Sequence, residues 1–452
     1  MVTEWSSCSL GNLFKVKHGF AFKGEFFTDA PTNALLVTPG NFAIGGGFQN
    51  PKPKYYNGPI PEDYILAPGQ VVVTMTDLSK QSDTLGLAAT IPADEFTWLH
   101  NQRVGLLEFK SKIPTDPQFI SYLLRTHTYR SWVIGSASGT TVKHTSPGRI
   151  ESFECKVPPI EEQRAIAHIL GTLDDKIELN RQMNATLEAM AQALFKSWFV
   201  DFDPVIDNAL ASGNPIPEPL QVRAEKRAAL SDQRKPLPAD IQQLFPNRFT
   251  FTDEMGWVPE GWKPTQFGSV SKCFDSKRIP LSKKQREEKK PGLIPYYGAT
   301  SVMDYINEWI FDDVYLLIGE DGSVIKEDGT PFVQYIWGKA WVNNHAHVLQ
   351  GDKGISTEHL MLFISVQNMA AYVTGAVQLK INQKNMNSIP FLKANGSINQ
   401  HFAAVIAPYF DKLRKNNDET ETLTKARDSL LPKLLSGQLR IPEAEQQVTE
   451  AL

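Results

Sequence analysis

Downstream of Ile160, apolar residues recur at alternating three- and four-residue steps: Ile166, Leu170, Leu173, Ile177, then the polar pair Asn180 and Asn184, then Leu187, Ala191, Leu194 and Trp198. Such a heptad seam predicts a long helix that buries one stripe against a partner helix. Ile169, Met183 and Met190 thicken the stripe. Its start is marked by Pro158-Pro159-Ile160-Glu161-Glu162-Gln163, with prolines ahead of the helix body and carboxylates in the first turn, where the helix dipole favours them. A second seam runs Phe402, Ile406, Tyr409, Leu413, Asn416, Thr420, Leu423, Arg427, Leu430 and Leu434, again with a polar middle. The two share their defects: Asn180 falls opposite Asn417 and Gly171 opposite Pro408, so both helices are expected to bend at the same level. The favoured reading pairs the helices with each other, the central asparagines fixing register at a cost in stability. In the alternative, each helix packs on its own domain.

The shared defects belong to a degenerate internal repeat. Trp5 followed by Leu10-Gly11 recurs as Trp262 followed by Phe267-Gly268, and Tyr55-Tyr56-Asn57-Gly58 has an echo in Tyr296-Tyr297-Gly298. The run Val71-Val72-Val73-Thr74 leading to Asp77 aligns with Tyr315-Leu316-Leu317-Ile318 leading to Asp321, and Trp98-Leu99-His100-Asn101 with Trp341-Val342-Asn343-Asn344. Ser138-Gly139 with Val142-Lys143 matches Thr374-Gly375 with Leu379-Lys380, and Leu173-Asp174 matches Phe410-Asp411. Ahead of each long helix lie short β-type runs, Gly/Pro/Asn turns and aromatics, the pattern of a mixed α/β domain. The expected divisions are a first globular domain (1–157), a central helix (158–202), a connector (203–258), a second globular domain (259–394) and a C-terminal helix and tail (395–452). Eight prolines between Pro204 and Pro259 predict a semi-rigid connector with at most one short helix, over the basic run Arg223–Leu230. The fold class expected is α+β, with two globular α/β domains and two long helices in a coiled coil.

The length, 452 residues, calls for more than one domain, and 41% hydrophobic with 21% charged residues is ordinary for globular protein. No apolar run approaches the roughly 20 residues of a membrane span. The start Met1-Val2-Thr3-Glu4-Trp5 has no basic segment followed by an apolar one, so a cytoplasmic location is expected. Cys8, Cys155 and Cys273 are far apart and lack zinc spacing, which fits a reducing compartment and no structural metal. A net charge of −4 leaves only local basic patches for nucleic acid.

Catalytic motifs are missing. Gly338-Lys339 is followed by Ala340, without the phosphate-loop glycine; Gly45-Gly46-Gly47 sits in a polar loop; no nucleophile elbow or His-Glu-x-x-His occurs. His345 and His347 share one face of a strand but have no carboxylate cluster beside them in sequence, so metal binding is not expected. The triplets Glu108-Phe109-Lys110 and Glu287-Glu288-Lys289 occur at chance frequency in a charged chain.

Two features suit DNA instead. The stretch from Lys272 to Lys290 carries Lys277, Arg278, Lys283 and Lys284, which could engage phosphates or could form a solvated loop. The repeated glycine loops carry Thr140, Thr141, Lys143 and His144 in one half and Gln378, Lys380, Asn382, Gln383 and Lys384 in the other. These residue types hydrogen-bond base edges or phosphates, and a glycine permits close backbone approach; a structural role joining domain to helix fits equally well. Lys80, Gln81 and Arg149 in the first half, with Ser323 and Lys326 in the second, complete the DNA-binding candidates.

These residues resemble the specificity subunit of type I restriction–modification systems over nearly the whole chain. The resemblance rests on Val157-Pro158-Pro159-Ile160-Glu161-Glu162-Gln163-Arg164-Ala165-Ile166 leading to Leu173-Asp174-Asp175-Lys176-Ile177, and on the block Leu194-Phe195-Lys196-Ser197-Trp198-Phe199-Val200-Asp201-Phe202-Asp203-Pro204. The restart Pro259-Glu260-Gly261-Trp262 and the ending Leu430-Leu431-Pro432-Lys433-Leu434-Leu435-Ser436-Gly437 complete it. The second helix start, Ser397-Ile398-Asn399-Gln400-His401-Phe402, lacks the usual pattern. The resemblance implies two target-recognition domains held apart by an antiparallel coiled coil with pseudo-twofold symmetry. It also implies two methyltransferase subunits that use S-adenosylmethionine on adenine, and two motor-nuclease subunits that use ATP and magnesium, with no cofactor on this chain. Ile166, Leu173, Ile177, Asn180, Leu187, Leu194, Trp198, Phe199, Phe402, Ile406, Leu413, Leu423 and Leu430 are then the coiled-coil or partner residues, Trp198 and Phe199 reading best as core. A helix of about 40 residues spans about 60 Å, more than the roughly 34 Å of one DNA turn, so the expected target is bipartite and asymmetric with an unread spacer. The competing reading is a coiled-coil scaffold with no sequence-specific DNA role.

Overall fold

A computed structural model describes residues 5–79, 81–230, 237–322, 324–375 and 378–451. The chain divides into two compact units, Met1–Asn180 with Asp418–Leu452, and Arg181–Asn417.

In the first unit an antiparallel four-stranded sheet runs in the order Phe14–His18, Val104–Phe109, Val71–Thr74, Ala88–Thr90. A mixed sheet beside it holds Ala34–Val37 parallel to Thr97–His100, with Leu35 opposite Trp98. Val71–Thr74 is buried along its whole length, the mark of a strand covered on both faces. Ser6–Ser9 pairs antiparallel with Glu154–Val157, which leads through Pro158 and Pro159 into the first long helix, Ile160–Phe195.

The second unit repeats this plan. Its four-stranded antiparallel sheet is ordered Ser271–Cys273, Ala346–Gly351, Tyr315–Gly319, Val333–Ile336, and Ile294–Tyr297 runs parallel to Lys339–Val342 with Tyr296 opposite Trp341. Lys263–Gln266 pairs with Pro390–Lys393 just ahead of the second long helix, Gly396–Leu435. One expected match dissolves: Tyr296 stands where Leu35 stands, whereas Tyr55–Tyr56 lies on the antiparallel neighbour of Ala34–Val37. The paired tyrosines are therefore an echo of composition.

Each unit joins the two long helices in antiparallel sense. In the first, Ile166, Leu170, Leu173 and Ile177 pack with Leu423, Leu430 and Leu434, while Lys176 and Asn180 both reach Glu419 at 3.3 and 2.8 Å. In the second, Ala191, Phe195, Trp198 and Phe199 pack with Ile398, Phe402, Ile406, Phe410 and Leu413. Asn416 donates to Asn184 at 2.8 Å, and Asn184 donates to the Leu413 carbonyl at 3.4 Å. The register asparagines are thus Asn184 with Asn416, while Asn180 takes a glutamate. The stripe departs from the strict heptad where Phe195 and Phe410 are buried and the expected Leu194 and Tyr409 are only partly covered; Leu187 is also only partly covered, and Met190, expected to thicken the stripe, is 47% exposed. At 3.6 residues per turn a helix drifts against a seven-residue repeat, which moves the seam by one position. Gly171 and Pro408 both lie inside unbroken helix. After Phe195 the first helix widens into a π-type turn, Lys196–Val200, that buries both Trp198 and Phe199.

The second helix start lacks the Pro and Glu-Gln pattern, yet the structure recovers the same lock with other residues. Gln163, buried, donates to the Pro158 carbonyl at 2.9 Å, and Asn399, equally buried, donates to the Ala394 carbonyl at 3.0 Å. Asn395 caps the backbone N–H of Ile398 at 2.9 Å.

The proline-rich stretch is more ordered than its composition suggests. It forms helices Asp203–Ala211, Glu218–Leu230 and Ala239–Gln242 and a hairpin of Phe249–Thr252 with Gly256–Pro259. Arg223 grips Asp203 with two hydrogen bonds of 2.8 and 2.7 Å and Arg227 grips Asp207 at 2.7 and 2.5 Å. Charge pairs twenty residues apart on separate helices leave no apolar periodicity, which is why the sequence reads as connector.

Candidate nucleic-acid interface

In the first unit the buried strand Val71–Thr74 continues to Thr76–Asp77, where a short strand, Lys143–His144, pairs with it. Asp77, buried, accepts hydrogen bonds from the backbone of Ser79 (2.6 Å), Thr84 (2.6 Å) and Leu85 (2.9 Å) and from the Thr84 hydroxyl (2.8 Å). Burial works to raise its pKa, but these bonds outweigh it and hold the carboxyl below the ordinary carboxylate value. Arg130 clamps the far side of the same loop through the carbonyls of Ser82 (2.6 Å) and Asp83 (3.0 Å). Beside this loop the backbones of Ser138 and His144 exchange hydrogen bonds of 3.1 and 2.9 Å, closing a hairpin whose exposed tip is Thr140–Thr141.

The second unit builds the same frame. Thr374 and Lys380 exchange two backbone bonds of 2.8 Å, Gly322 donates to the Leu379 carbonyl at 3.0 Å, and Ile381 donates to Glu320 at 2.9 Å. This sets Lys380 at the place of His144, one residue from the match drawn on sequence. Both loops need their glycine. Gly139 and Gly375 hold φ of +93° and +91°, and a Cβ at either would lie 2.0 or 2.2 Å from the carbonyl oxygen of Val142 or Gln378.

The base of the second loop is more highly charged. Glu320 receives Arg278 at 2.7 Å and Lys380 at 3.2 Å. His347, buried, meets Asp275 through Nδ1 at 2.5 Å and the Ile381 carbonyl through Nε2 at 2.8 Å, and His345 bonds Asp321. Burial works to raise the Asp275 pKa, but His347, the Val348 N–H and Arg278 together outweigh it and hold the carboxyl below the ordinary value. The two histidines therefore do have carboxylate partners, brought from up to seventy-two residues away, against the expectation from local sequence. Asp275, Glu320 and His347 converge to within 4.8 Å, the spacing of a cation site. Arg278 sits between the two carboxylates, 3.3 Å from Asp275, so the cluster carries its own cation.

The candidate residues distribute as follows. Gln81, Thr140, Thr141, Lys143 and His144 lie on the two adjoining loops of the first unit, with His144 Nδ1 3.3 Å from the Thr76 hydroxyl. Arg149 is engaged elsewhere: its guanidinium stacks 3.3 Å from the Trp132 ring centre and donates to the Trp132 carbonyl, which makes it a packing residue first. Gln378 and Lys380 lie on the second loop, and Asn382 caps the short helix Gln383–Asn387 that carries Gln383 and Lys384. Lys326 is exposed in a turn closed on Thr330. Arg278 is committed to the buried charge cluster, Lys277 lies 5.3 Å from the Phe274 ring centre, and Lys283 and Lys284 open a short helix that Arg286 ties to Asp304. Lys80 and Ser323 lie outside the described residues. Sequence reasoning passed over Leu78, which stands 62% exposed on the loop that Asp77 organises. A leucine after a buried strand reads as core, so nothing local distinguishes it.

The family of the type I restriction modification DNA specificity domain matches residues 3–189 and 259–424, one copy for each repeat. The chain belongs to this family. Two similar relatives are the type I restriction enzyme HindI specificity subunit of Haemophilus influenzae and the MjaIX specificity subunit of Methanocaldococcus jannaschii. The first is 26% identical over 371 residues, 72% of this chain and 77% of the relative. The second is 23% identical over 367 residues, 74% of this chain and 72% of the relative. The crystal structure of the type I restriction-modification S subunit from M. genitalium superposes with a TM-score of 0.53 at 16% identity, covering 96% of each chain, a likeness of fold. Membership makes this specificity chain a DNA-recognition protein and disfavours the plain scaffold. Among the described residues, no helix is long and apolar enough to cross a membrane.

Proposed function

We propose that each unit reads one half of a bipartite, asymmetric DNA target, and that the paired long helices set the unread spacer. The observation that carries this reading is the recurrence of one backbone frame, loop beside hairpin, with different side chains on it: exposed Thr140, Thr141 and His144 with half-buried Lys143 in one unit, exposed Gln378 and Lys380 in the other. Equal frames with unequal surfaces suit two unequal half-sites. Catalysis lies on partner subunits: two methyltransferases that take S-adenosylmethionine to adenine, and two motor-nucleases that use ATP and magnesium. Recognition candidates not already engaged in packing, Gln81, Thr140, Thr141, Lys143, His144, Gln378, Gln383 and Lys384, are the residues to test first, with Lys277, Lys283, Lys284 and Lys326 as phosphate contacts whose loss flattens the salt dependence of binding.

The test is to insert four residues next to Asn180, with a compensating insertion opposite it in the second helix, co-express with the methyltransferase, and map methylated adenines across the host genome. A longer spacer between unchanged half-sites is expected. Altered half-site sequences would overturn the reading.

A further inference from the structure

Cys8 and Cys155 are separated by most of the first globular domain in sequence, and the sheet brings them face to face. Cys8 on Ser6–Ser9 stands directly opposite Cys155 on Glu154–Val157. Two residues along the same ladder, Leu10 donates to the Phe153 carbonyl at 2.9 Å, which marks a hydrogen-bonded pair. Paired positions alternate, so Cys8 and Cys155 are a hydrogen-bonded pair as well, with Cα atoms roughly 5.5 Å apart. That falls inside the window of about 4.4–6.8 Å that a disulfide spans. Both residues are half-buried. Cys155 also opens onto a cleft of about 300 Å³ with Phe153, His127 and Pro432 on its walls, room for a small disulfide to approach. The chain's third cysteine, Cys273, belongs to the other unit.

We propose that Cys8 and Cys155 form a reversible dithiol–disulfide site that fastens the first strand to the strand feeding the first long helix. The oxidant is a small-molecule disulfide. One thiolate attacks it to give a mixed disulfide and one released thiol; the second thiolate then displaces the other half. Two protein S–H bonds are lost, one S–S bond forms, and the reagent's S–S bond becomes two thiols, so two electrons and two protons pass to it. The bond would close a loop over nearly the whole first globular domain and pin it beside Pro158-Pro159, where the helix begins. Side chains of hydrogen-bonded pairs diverge more than those of the alternate pairs, so the cross-link forms under strain and reverses readily, the behaviour of a regulatory bond. Burial pushes both thiols up, Cys155 to about 12, which makes the exchange slow at neutral pH and faster by about tenfold per pH unit above it.

The experiment incubates the full chain in buffers graded from reduced to oxidised glutathione at pH 7 and pH 8.5, traps free thiols by alkylation, and maps linked peptides by mass spectrometry. The expected result is a Cys8–Cys155 linked peptide, free thiols falling from three to one with Cys273 retained, and faster formation at the higher pH. Cys8→Ser and Cys155→Ser should each abolish the linked peptide and leave the remaining cysteine as a glutathione adduct. Three free thiols in a natively folded chain at the most oxidising ratio, or glutathione adducts on both cysteines without the link, would overturn the proposal. Because the wild-type chain supplies the deciding measurement, a variant that fails to fold leaves the test intact.

Discussion

Asp174 is the carboxylate on which the first unit's helix pair turns, and removing it gives a sharp test of the packing described above. Its Oδ2 takes Arg125 at 2.7 Å and the Tyr122 hydroxyl at 3.0 Å, and its Oδ1 takes Arg427 of the second long helix at 2.8 Å. The Arg125 and Arg427 side chains are only 6% and 15% exposed, so Asp174→Ala strands the Arg125 guanidinium with little access to water and leaves Arg427 only its neighbour Asp428, which is 60% exposed. Breaking a buried ion pair costs about 3–5 kcal/mol, and because the Asp174 side chain keeps 24% exposure the lower end, about 3 kcal/mol, is expected here. The control is Asp411→Ala, at the matching position of the second helix. Asp411 is 57% exposed and holds a single arginine, Arg414, three residues on, which predicts at most about 0.5 kcal/mol. Urea unfolding followed by hydrogen exchange in peptides from 160–180 and 418–435 reads the loss within the first unit. Burial raises the Asp174 pKa but Arg125 and Arg427 outweigh it, so the folded-state value lies below the unfolded one. Its contribution is therefore full above the unfolded value of about 3.9 and disappears as pH falls through the folded value, so wild type and Asp174→Ala should converge in acid. A loss below about 1 kcal/mol at pH 7, or one no larger than that of Asp411→Ala, would refute the argument.

Further outcomes follow from the same structure. Gly139→Ala and Gly375→Ala should each distort one hairpin, and adenine mapping in the methyltransferase complex should show weakened reading of one half-site per variant with the other intact; equal loss at both half-sites would speak against separate readers. Replacing Asn184 and Asn416 together by leucine should raise the denaturation midpoint of the second unit while single replacements lower it, because only the double change leaves no unpaired amide. His359 lies among Phe195, Phe199, Phe391 and Phe402, and burial lowers its pKa to about 3. The unfolded chain then binds a proton that the folded one refuses, so stability falls as pH drops from about 6.5 toward 3, and His359→Phe should remove that part of the acid sensitivity, measured by denaturation at pH 7 and pH 4.5.

The seams were legible because burial of one helix face writes itself into residue spacing, and Leu170, Leu173, Ile177, Leu423 and Leu430 are all buried as the spacing requires. Spacing could not tell Leu194 from Phe195, since helical drift against the heptad is smaller than one residue per turn. The repeat was legible where backbone demanded a residue type, as at Gly139 and Gly375, and misleading where it rested on composition, as at Tyr55-Tyr56. The organising groups of the loops were hidden: Asp77 works through backbone N–H donors up to eight residues on, and Glu320 through Arg278, forty-two residues away. Contacts of that kind depend on which strands lie side by side, which no local pattern encodes. The helices of the proline-rich stretch went unseen for the same reason.

The hairpins Ser138–His144 and Thr374–Lys380 are closed by backbone groups, and the described tip residues Thr140, Thr141 and Gln378 are exposed. A tip residue can therefore be exchanged at small expense to folding, while the glycine, the buried acid at the loop base and the strand beneath it cannot. Mutational tolerance and functional novelty coincide at the same few exposed positions. A lineage carrying this frame can acquire a new target in one half by changing those positions alone, and, because the frame occurs twice, can do so without disturbing the target of the other half.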